Sequence, residues 1–191
     1  MSKKIVGSLT LVSTLMVGMV MMVGMVTPAL AASGDTPHPS VRSQTNLIPE
    51  SISEILAAHN RYRSAVGVRA LQWSNNLAIS AQRWANHLAA IHQLVHSGPG
   101  ENLWMGTKGA YTDTQRVNAW GAEKRYFLPH RKFPNVSTTG RWQDVGHYTQ
   151  IIWWNTTSVG CGRASDNRFD YFVCQYRPVG NVIGQYPLGH P

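Results

Sequence analysis

Two short segments of this 191-residue chain hold an imidazole in a tightly constrained loop. His96-Ser-Gly-Pro-Gly-Glu101 sets an imidazole and a carboxylate on either side of a Gly/Pro break. Gly146-His147-Tyr-Thr-Gln150 sets a second imidazole directly after a glycine, at the head of an apolar run. Glu123, three residues after Trp120, supplies another carboxylate. Two neutral imidazoles with one or two carboxylates are a donor set that a divalent ion such as zinc accepts while keeping a position open for water. Spacing alone leaves the alternative that each histidine is a hydrogen-bonded structural group. A competing metal pair, His92-x-x-x-His96, lacks the glutamate that an HExxH helix supplies as general base. Nucleophilic chemistry has less support: the chain has no Gly-x-Ser-x-Gly elbow, and the order of its Ser, His and Asp residues nominates no triad.

The elements that must position these groups can be read from periodicity. Ile52, Ile55, Leu56 and His59 follow helical spacing, with Ser51-x-x-Glu54 as a capping box, so a first helix of about 12 residues is expected before Gly67. Ser74 is the expected N-cap of a second helix, in which Leu77, Ala81, Trp84, Ala85 and Leu88 share one face and which fades near His92. Residues 101–105 are short enough for a strand, and 112–125 read as a third helix with Val117 and Trp120 on one face and Asp113 near its positive end. Residues 128–145 have no periodicity and are expected as a long loop. Two β-rich runs, 159–164 and 169–176, flank the turn-forming tetrad Ser165-Asp-Asn-Arg168 and predict a hairpin. Helices first and strands later imply an α+β fold.

Cys161 and Cys174 are the only cysteines, one in each arm of that hairpin. A cross-strand disulfide fits this placement in an exported chain, with a pair of buried free thiols as the alternative. Export is expected from the N-terminus: Lys3 and Lys4 precede an uncharged apolar stretch that ends in Ala29-Leu30-Ala31, a pattern that a signal peptidase accepts. Residues 1–31 are read as the signal peptide and 32–47, rich in Ser, Pro and Gly, as a disordered spacer. An uncleaved leader would be long enough to anchor the chain in a bilayer. Cleavage removes Lys3 and Lys4 and lowers the formal net charge from +8 to +6. That modest excess carries no dense Lys/Arg tract, so no specific nucleic-acid partner is expected. Neither a phosphate-binding GxxxxGK[ST] loop nor an internal repeat is present.

Four motifs then carry a resemblance. His59-Asn-Arg-Tyr-Arg-Ser-Ala-Val-Gly67, Gly100-Glu-Asn102, Gly146-His-Tyr-Thr-Gln-Ile-Ile-Trp153 and Tyr171-Phe-Val-Cys-Gln-Tyr-Arg-Pro-Val-Gly-Asn181 resemble the signatures of the CAP superfamily. That superfamily comprises cysteine-rich secretory proteins, antigen 5 and pathogenesis-related class 1 proteins, and the closest likeness is to the plant class 1 type. The resemblance implies a CAP domain over residues 48–188. Its fold would be a three-layer α-β-α sandwich with a small antiparallel sheet between helices. It implies a cavity lined by His96, Glu101, Glu123 and His147, in which His96 and His147 hold a divalent cation, often zinc. His59 and Asn60 would be structural members of the first-helix motif. Cys161 and Cys174 match one disulfide of the plant members, whose other cysteines are absent here.

The functions that follow by resemblance are those of a secreted, monomeric extracellular binding module for a lipid, a sterol or a cell-surface ligand, with a defence or antimicrobial role. The aromatic loop that binds sterol in the family corresponds to Tyr126, Phe127 and Phe133, with Leu128 where the family's spacing places the middle aromatic. The alternative is a metal-dependent hydrolase or protease in which Glu101 or Glu123 acts as general base on a metal-bound water. A third expectation is release of a C-terminal peptide from Pro178, weakened by Arg177 where plant members usually carry Asp.

Overall fold

The computed structural model describes residues 46–190. The expected signal peptide and residues 32–45 of the spacer lie outside the described residues. Asn46 and Leu47 are packed: the Asn46 N–H donates to Gln82 Oε1 at 3.0 Å and Leu47 is buried, so the domain's first contacts fall just before residue 48.

The chain runs α1 (Pro49–Ser64), β1 (Gln72–Trp73), α2 (Asn75–Ile91), β2 (Glu101–Thr107), α3 (Asp113–Gly121), α4 (Gly146–Ile151), β3 (Ser158–Ser165) and β4 (Phe169–Arg177). The sheet order is β1-β3-β4-β2. The β3–β4 and β4–β2 pairs are antiparallel, whereas β1 adds a two-residue parallel pairing to β3, so the expected antiparallel sheet is mixed at one edge.

Alternation along β4 builds the layers, because successive strand residues face opposite sides of a sheet. Tyr171 and Val173 pack with Ala81, Ala85 and Leu88 of α2. Phe172, Cys174 and Tyr176 pack with Ile55 of α1, Val117 and Trp120 of α3, and Ile151 of α4. The result is one helix on one face and three on the other, an α-β-α sandwich. Helix α2 approaches β3 closely enough that a Cβ on Gly160 would come within 2.2 Å of Ala78 N, and one on Gly162 within 2.3 Å of Gln82 Cα. Cys161, between them, points to the other layer and bonds its direct cross-strand partner Cys174.

Local signals held in part. Ser74 caps α2 through Leu77 N, and His92 ends that helix in the left-handed conformation with φ 54°. The Ser51/Glu54 capping box does not form: α1 starts three residues earlier, with Ile48 at the N-cap and Pro49 in the first turn, where a missing N–H costs nothing. A capping box forms instead at α3, between Thr112 and Gln115. The third helix is also shorter than 112–125, because after Gly121 it tightens into a 3₁₀ turn, Ala122–Tyr126. The loop at 128–145 is partly ordered by a bridge between Phe127 and Ser137.

Candidate functional site

His96 stands in the connection between α2 and β2, and Glu101 is the first residue of β2. Its Nδ1 lies 3.2 Å from Glu101 Oε1, which also accepts the Ser97 N–H at 2.9 Å. Glu101 Oε2 accepts from Ser97 Oγ and from Gln175 Nε2. The Glu101 side chain is 1% exposed and the His96 side chain 55%. Burial alone would raise the Glu101 pKa, but the bonds from His96, Ser97 and Gln175 outweigh it and hold the carboxyl below its ordinary value.

The second pair has the same design. Glu123 sits in the 3₁₀ turn after α3, and its Oε1 lies 2.6 Å from His147 Nδ1. Its Oε2 accepts the backbone N–H groups of His147 and Tyr148, satisfying two orphan donors at the start of α4. Trp120, buried in the core, stacks on this unit, its ring 6.0 Å from that of His147 and its indole N–H held by Leu103 O. In both pairs Nδ1 faces a carboxylate, which leaves Nε2 as the free ring nitrogen.

His96, Glu101 and His147 line one cavity of about 600 Å³. Its apolar wall comes from Phe133, Pro134, Trp142 and Ile183. Glu123 supports His147 from behind and is absent from the lining. Trp142 and Ile183 are 40% and 78% exposed, which sets them at the rim. The C-terminal segment reaches the cavity because Gln150 Oε1 accepts the Gly180 N–H and Asn181 Nδ2 donates to Gly146 O. Phe133 and that segment are clipped together: Phe133 N donates to Gln185 O and Gly184 N donates to Phe133 O.

Among the aromatic loop candidates, only Phe133 lines the cavity. Tyr126 and Phe127 pack against the small core of Phe133, Val136, Val145 and Trp153. Among the described residues no group of three or more His, Cys, Asp or Glu side chains gathers as a metal cage. The two imidazoles that line the cavity are thus joined by no third side chain in a cluster of that kind. His92 is turned away, its Nδ1 2.9 Å from Asp166 Oδ2 in the β3–β4 turn, so it forms no pair with His96.

His59 is fully buried. Its Nδ1 bonds Ile55 O and its Nε2 lies 2.8 Å from the Tyr176 hydroxyl, which also accepts from Asn102 Nδ2. Asn102 Nδ2 donates in turn to His147 O, so a polar chain links α1, β4, β2 and α4. Burial lowers the His59 pKa from 6.5 to about 4, keeping the ring neutral, and burial pushes the Tyr176 hydroxyl well above its ordinary value. Asn60 closes the next loop through both the N–H and the C=O of Leu71.

Sequence reasoning passed over Arg63, Trp142 and Ile183. Arg63 is buried with no acidic partner among the described residues and donates to the carbonyls of Arg69, Ile151, Trp153 and Thr156. Burial lowers its pKa to about 10. Its place in the His59 to Gly67 motif was the available signal. Nothing in the local sequence marks Trp142 or Ile183 as cavity residues.

Residues 56–176 match the model of the cysteine-rich secretory protein family, CAP. Pathogenesis-related protein 1B of Nicotiana tabacum is 41% identical over 148 residues, covering 76% of this chain and 85% of that protein. Pathogenesis-related leaf protein 4 of Solanum lycopersicum is 41% identical over 138 residues, covering 72% and 83%. A crystal structure of NaASP2 with Zn2+ superposes with a TM-score of 0.63 at 23% identity, covering 76% of this chain and 88% of that one, a likeness of fold. With the sandwich and the motif residues at its sheet end, these matches place the chain in the cysteine-rich secretory protein (CAP) family.

Proposed function

We propose that this chain is a secreted, monomeric binding module whose cavity takes an amphipathic, sterol-like lipid, in the service of defence. The observation that carries the reading is the mixed lining: the imidazoles of His96 and His147 share one cavity with the apolar side chains of Phe133, Pro134, Trp142 and Ile183. Largely apolar walls with a few placed polar groups are the usual form of small-molecule sites. The names of the tobacco and tomato relatives support the defence context. No helix among the described residues is long and apolar enough to cross a membrane.

His96 and His147 would hold a divalent cation such as zinc through Nε2, with Glu101 and Glu123 fixing the ring orientations from Nδ1. The bound cation would polarise an oxygen of the ligand. The same geometry favours binding over hydrolysis. A general base must reach the proton it removes, yet both oxygens of Glu101 and of Glu123 already accept hydrogen bonds.

The test is displacement of a fluorescent sterol from the secreted protein. Trp142→Ala with Ile183→Ser should weaken binding about tenfold. Unchanged affinity in that double variant sinks the cavity assignment. Peptide cleavage that depends on His147 would return the hydrolase reading.

A further inference from the structure

A second cavity of about 460 Å³ is lined by Lys108, Tyr111, Arg116, Arg163 and Asp170, among others. Strand β2 separates it from the first: Glu101 opens the strand at the histidine end and Lys108 follows its last residue. At about 3.3 Å per residue the seven-residue strand sets these positions roughly 20 Å apart.

Beneath this cavity lies a closed ion network. Asp113 binds both Arg116 and Arg163, and Arg116 Nη2 binds Asp170 Oδ2 at 2.8 Å. Asp170 is largely committed inside the network: Ser165 Oγ donates to Oδ1, and Gly109 N and Arg116 donate to Oδ2. Two carboxylates and two guanidiniums cancel within the network, and Lys108, whose Nζ donates to Asp166 O at 2.9 Å, adds an exposed cation at its edge. The Arg163 side chain is 37% exposed, with one nitrogen on Asp113. Arg116 is 4% exposed, flanked by the Trp104 and Phe172 rings, and its Nε is buried without a partner. Tyr111, 46% exposed, stands edge-on to Trp104 at 5.0 Å and adds an aromatic wall. A bare oxyanion would use the cations but leave that wall and most of the volume idle.

We propose that this cavity binds a uronate residue of an acidic oligosaccharide, its carboxylate meeting Lys108 and Arg163 and its ring lying against Tyr111. A planar carboxylate matches the fork of a guanidinium, and the sugar ring presents an apolar face to an aromatic side chain.

The experiment titrates trigalacturonate into the full secreted chain by calorimetry and by NMR, with maltotriose as the neutral control and inorganic sulfate as competitor. Saturable binding of trigalacturonate and none of maltotriose is expected. Lys108→Ala and Tyr111→Ala, both at the surface, should each weaken it about tenfold, and Arg163→Gln by at least as much. Binding that survives Lys108→Ala and Tyr111→Ala unchanged overturns the proposal. Sulfate binding as tightly as trigalacturonate also overturns it, because the cavity would then read charge alone.

Discussion

His147 and Glu123 form a unit in which one carboxylate does two tasks. Oε1 meets the imidazole Nδ1 at 2.6 Å, and Oε2 accepts the N–H of the same residue at 3.0 Å. Ring orientation and helix start are therefore set by a single side chain outside the cavity. On the proposed reading of the site, Glu123→Gln should lower zinc affinity about 10- to 100-fold, the usual consequence of losing an orienting partner. Calorimetric zinc titration of both proteins measures it, and equal affinities would remove Glu123 from that role.

Stability should fall on the acid side through His59. The ring's pKa is 6.5 when unfolded and about 4 in the fold. Between those values only the unfolded chain takes up the proton, so stability is full above pH 6.5 and declines as pH drops toward 4. The loss amounts to about 3 kcal/mol. The lowered carboxyls of Glu101 and Asp170 act below pH 4.5, outside most of this window. Urea unfolding against pH should show the slope in the parent chain and not in His59→Gln; a slope that persists in the variant assigns it elsewhere.

Arg63 joins α1 to the end of α4 through carbonyls alone. Replacing it with Met removes four donated bonds, three of them buried, leaves only Trp153 O with its bond from the Thr156 N–H, and should cost on the order of 3 kcal/mol. Arg63→Lys should cost less, since an ammonium keeps charge and three donors but cannot span the same fork. Denaturant midpoints of the two variants give the order, and the reverse order would contradict it.

The α2–β3 contact admits no side chain at Gly162. Because the obstructing atoms are backbone, Gly162→Ala should destabilise by about 1–3 kcal/mol as the helix is pushed off the sheet. Gly98→Ala, where nothing lies within 4 Å, should be close to neutral. Thermal melts of the pair provide the comparison.

The sequence was most legible where one local rule governs. The 3.6-residue period of Ala81, Ala85 and Leu88 marked α2, and turn chemistry between the cysteines marked the β3–β4 hairpin. It was least legible where long-range contacts decide. Pro49 at the first turn displaced the expected start of α1, and Gly121, packed against Tyr62, marks where α3 tightens. For the site, the motifs brought His96, Glu101, Glu123 and His147 to attention, but not their division into two pairs. Ile183 and Trp142 could not be found at all, because an exposed apolar residue becomes a cavity rim only through distant neighbours.

The clip between Phe133 and the segment at 184–185 bears on the fate of the chain's end. Gly180, Asn181 and Ile183 line the cavity, and the clip fastens their segment to the loop that supplies Phe133 and Pro134. A protease cutting between Arg177 and Pro178 would do more than free a peptide: it would take a wall away and leave an open trough. On the proposed reading, holding a ligand and shedding the terminus would compete, and an occupied cavity should shield that bond from cleavage.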